Sequence, residues 1–470
     1  MVNVLIILAV VYLGVLVTLS LLTRQKEKDT SNYLLAGSKL GSILGMFTFA
    51  ATLFSTFTII GIPDFFRANG IGTWIFIAVS DCAMVFLIVW LGLHIRKKAR
   101  TNDFKGMAGL MSTCFSNKFA GYVTFAGAFI FLVPYVSIQI RGIAIFMHAT
   151  FPEALPIWGW ASLIVIIMLL YSETGGLKAI IYSDLIQGIL LLIVIWIVAF
   201  NCLEYFGDMN GMFQKVREVN KELLSVPGPN NLFTTQFLFA SFLAVIMIPF
   251  TQPQVATRVI IMKNNRSLFR MAIGVGVFAI VIIFPTALIG MYGAAKYADL
   301  STADFISNVL IADQSNAVGA LGIIGLIAAA ISTSDSQIFA LGGELRSLLK
   351  GDDAKMIGIT RIAIVFFAVL ALIFSIISSD ELVLLARTSF AGTALMAPMI
   401  FTGIFLHNPS AKFMPVATAA ALLMFLLSMG ELIPSMIYGI RLDLILFIFV
   451  ALCGLINAAI DKKEKVAVGT

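Results

Sequence analysis

The sequence predicts an all-α integral membrane protein of thirteen transmembrane helices, and three observations carry that expectation. Hydrophobic residues fill 60% of the 470 positions and charged residues only 12%, with a mean hydropathy of +1.00. Soluble domains carry about 25% charge and 45–50% apolar residues. The apolar residues also gather in long blocks, and about 20 residues at 1.5 Å each cross a bilayer core as a helix. Finally, lysine and arginine fall overwhelmingly on alternate loops, as the positive-inside bias requires.

Spans are expected near 3–23, 40–65, 71–95, 119–147, 156–172, 178–202, 233–254, 271–294, 317–346, 356–378, 382–406, 413–429 and 442–460. The first block lacks a basic leader and a small-residue cleavage site, so it reads as a retained helix and not a signal peptide. With the N-terminus outside, the inner side collects Arg24, Lys26, Lys28, Arg96, Lys97, Lys98, Arg258, Lys263, Arg266, Arg346 and the tail Lys462, Lys463 and Lys465. The outer side holds only Arg67, Lys215, Arg217, Lys221, Lys296 and Arg441. An even number of spans would scramble this asymmetry, so an N-out, C-in protein of the cell membrane is expected. The net charge of +6 then reflects topology and gives no reason to expect nucleic acid. Nothing calls for an obligate protein partner either.

The four cysteines, Cys82, Cys114, Cys202 and Cys453, have no metal or disulfide spacing and read as packing residues. No hydrolytic triad or nucleotide loop is present, and GVGVFA at 274–279 lies inside a span. An enzyme is therefore not expected. The tail after 460 is expected to leave no room for a signalling domain, which weighs against a sensory membrane protein.

The polar loop 203–232 divides the chain. An extra helix (1–30) is expected first, then five helices (31–202), the extracellular loop, five more (233–406), and two C-terminal helices with a short tail (407–470). Each five-helix stretch opens on an apolar segment that looks interrupted. FAATLFSTFTIIGIP carries Thr52, Ser55, Thr56, Gly61 and Pro63; IMIPFTQPQ carries Pro249, Thr251, Gln252, Pro253 and Gln254. Matching interruptions in two halves point to an inverted-repeat transporter; two ordinary proline kinks would give the same pattern. Broken backbone survives at membrane depth only against protein or a cavity.

A third polar stretch, AAAISTSDSQ at 328–337, lies between apolar neighbours. Helical spacing puts Ala329, Ser332 and Ser336 on one face, with Thr333 and Asp335 adjoining. Hydroxyls and free carbonyls are the oxygens that suit a hard cation held weakly enough to leave. Hydroxyls alone could simply bond back to their own helix. Asp335 is not explained that way, because a carboxylate in the bilayer costs at least ~2.5–3.5 kcal/mol. A second intramembrane acid, Asp184, lies nearly two turns into its span, at a depth within reach of Asp335 and Ser336.

The segments YLLAGSKLGSILGMFTFAATLFSTFTIIGIPDFFRANG, TGGLKAIIYSDLIQG and AAAISTSDS resemble, in order and spacing, the signatures of the sodium:solute symporter family. The resemblance covers nearly the whole chain. It implies a LeuT-type core of five plus five inverted helices and Na⁺-driven import of a small organic solute by alternating access. By position it implies a main Na⁺ site of the Ala51, Phe54 and Ala329 carbonyls with the Ser332 and Thr333 hydroxyls. A second Na⁺ site would use Asp184, Ser332, Asp335 and Ser336; relatives can carry serine where this chain has Asp335. A carrier of the same fold coupled to protons would use the two acids as proton sites instead.

The solute pocket is expected at the midplane between the repeats. Its candidates are Ser55, Thr56, Phe57, Asp81, Tyr135, Gln139, Arg141, Phe250, Thr251, Gln252, Gln254, Arg387, Ser389 and Thr393. An amino acid or a carboxylate is the expected solute. Arg141 could clamp a carboxylate; its nearness to the outer end favours a structural pairing with Asp81 or Glu173. Arg387 is expected to be an anchor, and His94, His148 and His407 to be interfacial.

Overall fold

The computed structural model describes the chain apart from residues 24–29, 103, 230, 352, 379–380, 407–408, 410–411 and 469–470. Arg24, Lys26, Lys28 and His407 lie outside the described residues, as do the side chains of 30–32, 171–175, 353–354 and 462–468, including those of Glu173, Lys462, Lys463 and Lys465. Among the described residues nine helices are long and apolar enough to cross a membrane, and the bent pair Ser42–Leu53 with Phe57–Asn69 makes a tenth. The other three expected spans fall on shorter apolar helices, Ile157–Leu170, Thr235–Ile246 and Phe413–Met429. The chain is a multi-pass membrane protein.

Burial sorts the helices into a centre and a periphery. The apolar windows of Lys118–Thr150 and Asn316–Leu348 are each 78% buried, against 17% for Val2–Thr23 and 33% for Leu442–Asp461. The hydroxyl-rich helix therefore lies in the middle of the bundle, as a helix that is apolar nearly all round must. Its main neighbours are the helices Ile157–Glu204 and Lys118–Thr150.

Both expected interruptions are present. The first helix breaks at Phe54, which is extended (φ −92°, ψ 121°), and its two halves meet at 61°. The second breaks at Gln252, also extended (φ −105°, ψ 115°), between Ile248–Thr251 and Pro253–Ile260. Pro253 has no N–H to offer back, so the helix cannot run through it. The 48-residue helix Ile157–Glu204 is divided at Gly176, whose φ of 61° favours glycine. A side chain there would stand 2.7 Å from the Tyr33 ring.

The segment 203–232, expected to be a polar loop, contains the helix Met209–Asn220. Asp208 caps it by accepting from the Gly211 N–H at 2.7 Å. Met212, Val216 and Leu223 are buried beneath it. Leu223 is tied to the membrane bundle by its carbonyl, which accepts from Ile71 N at 2.7 Å. Gly70 makes that approach possible: its φ is +78°, and a Cβ would lie 2.1 Å from the Leu223 oxygen. Gly70→Ala is expected to cost at least about 1–2 kcal/mol from the left-handed backbone alone. A fall in melting temperature of the detergent-purified protein would register it.

Candidate functional site

The first break exposes backbone oxygen at the centre of the bundle. In an unbroken helix the Ala51 carbonyl would accept from the N–H of residue 55. Here Ser55 N donates instead to Thr58 Oγ1 at 3.0 Å, and the Ser55 hydroxyl accepts from Phe57 N at 3.2 Å. The Ala51 oxygen is met from across the bundle by Ser332 Oγ at 2.9 Å and Thr333 Oγ1 at 3.0 Å. Ser332 Oγ also lies 3.3 Å from the Ala329 carbonyl. Four of the five residues expected at the main Na⁺ site thus converge, all of them buried. Phe54, at the break itself, is buried alongside. These are neutral oxygens from two elements, a donor set that fits a small hard cation. The hydroxyls that now donate to Ala51 would turn their lone pairs to the ion.

Next to this cluster the structure adds a residue that the sequence placed on the inner face. Arg258 is 1% exposed. Its Nη2 donates to Ser336 Oγ at 2.7 Å and lies 3.6 Å from Asp184 Oδ2. Its Nη1 donates to the Gln254 carbonyl at 2.8 Å, and its Nε to Thr48 Oγ1 at 3.3 Å. Thr48 in turn donates to Asp184, and Thr52 Oγ1 to Ser336 Oγ at 3.2 Å. A guanidinium therefore stands among the oxygens of the expected second Na⁺ site and takes Asp184 and Ser336 as partners. Asp335 remains apart. It is 2% exposed, and among the described residues neither carboxylate oxygen has a hydrogen-bond partner. Arg96, also expected at the inner surface, is likewise buried and donates to the Met262 carbonyl.

Of the expected solute residues only Phe57, Asp81 and Tyr135 line a central cavity, of about 20 Å³, which Phe54, Phe76, Ile77, Ile248 and Phe390 help to close. The other candidates are not among the residues that line it. Arg141 bonds the Ser375 and Ile376 carbonyls, both at 3.3 Å, and does not reach the cavity. Gln252 accepts from Gln254 Nε2 at 2.7 Å. Gln139 donates back to the Tyr135 carbonyl at 3.4 Å. Thr56 packs beneath Gly142, where a Cβ would meet its methyl at 2.6 Å. Ser55 is spent on the turn. Phe250, Thr251, Ser389 and Thr393 are buried. Arg387 is the expected anchor, with Nη2 at 2.6 Å from Asp443 Oδ2. A separate, larger cavity of about 430 Å³, the vestibule, is lined by Gly61, Asp64, Thr302, Glu381 and Val383 among others.

The family model for the sodium:solute symporter family matches residues 33–412. The chain belongs to the sodium:solute symporter family. The family and its relatives are transporters, not enzymes. A sodium/pantothenate symporter of Haemophilus influenzae is 24% identical over 66% of this chain and 63% of its own length. The Escherichia coli sodium/pantothenate symporter is 22% identical over 62% of this chain and 61% of its own length, so the chain spans about three-fifths of these two relatives. The sodium/proline symporter 2 of Staphylococcus saprophyticus is 23% identical over 81% of this chain and 77% of its own length. In fold, the chain is similar to a Na⁺-coupled sialic acid symporter solved in a substrate-bound, outward-open state. The TM-score is 0.78 at 15% identity, over 97% of this chain and 98% of that one.

Proposed function

We propose that this symporter-family chain imports a small organic solute, an amino acid or a carboxylate, together with Na⁺ across the cell membrane. The observation that carries the reading is the Ala51 carbonyl, released by the break and faced by Ser332 and Thr333. An ion bound there ties the first broken helix to the hydroxyl-rich helix. The solute cavity lies next to the same break, so filling one site favours the geometry of the other. The chain would cross the membrane thirteen times, N-out and C-in, with residues 31–202 and 233–406 as inverted repeats. Alternating access then rocks one repeat against the other. The relatives' pantothenate and proline bracket the solute classes.

Asp335 favours a second coupling ion. A buried carboxylate without a partner is costly, and either a proton or a second Na⁺ would relieve it. In proteoliposomes, a tenfold inward Na⁺ gradient supplies about 1.4 kcal/mol per ion, enough for about tenfold accumulation with one ion. Accumulation of labelled proline or pantothenate under that gradient is the expected result. Equal accumulation under a pH gradient in sodium-free buffer would make the coupling ion a proton.

A further inference from the structure

We infer that the transported solute carries a positively charged nitrogen and that Asp81 is its counter-charge. The inference rests on the transport reading above and narrows its solute. Asp81 lines the central cavity and is 5% exposed. None of the hydrogen bonds or ion pairs among the described residues includes its carboxylate. It lies two residues past a π-helical turn, Ile75–Val79, a distortion common at functional sites. An acid on a bundle helix with neither a structural partner nor open water is an expensive residue to keep. Its surroundings name what would offset that cost.

The wall around Asp81 is aromatic. Phe54, Phe57, Phe76, Tyr135 and Phe390 line the cavity with it; Tyr135 and Phe390 meet edge to face at 4.9 Å between centroids. Ring faces about a carboxylate attract an ammonium twice over, by charge and by cation–π contact. Among the described residues no lysine, arginine or histidine lines the cavity. The arginines nearest in sequence logic are committed elsewhere, Arg141 to carbonyls and Arg387 to Asp443. Of the vestibule's charged lining residues, Asp64 is paired with Arg67 at 2.6 Å, which leaves Glu381 to attract a cation on the approach. A solute bearing only a carboxylate would meet like charge at Asp81. A zwitterion would present its nitrogen to Asp81.

The test compares wild type with Asp81→Asn in detergent, reading melting temperature against L-proline, choline, pantothenate and galactose, in NaCl and in KCl. Expected is stabilisation by proline or choline, greater in Na⁺, with affinity at least about tenfold weaker in Asp81→Asn, as for loss of one charged contact. Stabilisation by Na⁺ itself should persist in the variant. Stabilisation by pantothenate or galactose alone, or equal cation affinity in both proteins, overturns the inference. Should Asp81→Asn fail to fold, the ranking of the four solutes on wild type decides. Absence of any Na⁺ effect on wild type would defeat the coupling reading instead, and the ranking in KCl would still judge this one.

Discussion

Arg258→Ala is expected to lower stability by about 3–5 kcal/mol, the usual consequence of removing one partner from a buried ion pair. The reason is what it leaves behind. Asp184 is fully buried and Asp335 nearly so, and the guanidinium is the only cation described within salt-bridge distance of Asp184. Thr48 alone would remain to satisfy its Oδ2. The Ser336 hydroxyl would lose its donor from Arg258 as well. A companion variant separates charge from packing. Arg258→Met with Asp184→Leu removes both charges and keeps most of the volume, so it should recover most of the lost stability. A double-mutant cycle read by thermal melting in detergent checks this. A second result should accompany it: Arg258→Ala opens the oxygens of Asp184, Ser336 and Thr48 to a free cation. Its melting temperature should then rise more with added Na⁺ than the wild type's. If the single variant melts like wild type, the pair is not structural and the site's electrostatics have been misread.

The two breaks and the hydroxyl cluster were legible because hydroxyls, prolines and carboxylates stand out against an apolar background. In a span, each such residue needs a reason. Arg258 was misplaced for a reason equally physical. It lies near the end of an apolar block, and a block's end normally marks the interface. Only the break at Gln252 makes Pro253–Ile260 a short separate helix that carries its arginine inward, four residues on from Gln254. The cavity residues suffered from register. The π turns Phe57–Gly61 and Ile75–Val79 each insert an extra residue, which rotates everything beyond by about 100°. Ser55 and Thr56 lie before these turns, at the break itself, where Ser55 bonds the turn and Thr56 packs against Gly142. The helix in 203–232 was hidden because its apolar residues are few and are buried only by folding back on the bundle.

Ser332→Ala with Thr333→Ala is expected to raise the Na⁺ concentration for half-maximal response about 100-fold or more. Each hydroxyl offers one oxygen to the ion, and a contact to a charged group is worth about 1.5–3 kcal/mol. Two such losses are at least about 3 kcal/mol, and each 1.4 kcal/mol is tenfold. Each single variant should shift the midpoint about tenfold. The substitutions also remove the hydrogen bonds from Ser332 and Thr333 to the Ala51 carbonyl, which leaves that oxygen buried without a donor. This structural cost must be kept apart from the loss of ion binding. In Na⁺-free buffer the double variant should already melt lower than wild type, because a buried carbonyl left without a donor costs about 1–3 kcal/mol. In Na⁺ the gap should widen, since wild type gains the binding energy and the variant does not. A constant gap at all Na⁺ concentrations would mean that the hydroxyls only hold the two helices together. Ser332→Thr tests the same point from the other side: it keeps the oxygen, so a near-normal Na⁺ midpoint there beside a hundredfold shift in the alanine pair locates the effect in the ligand atom itself.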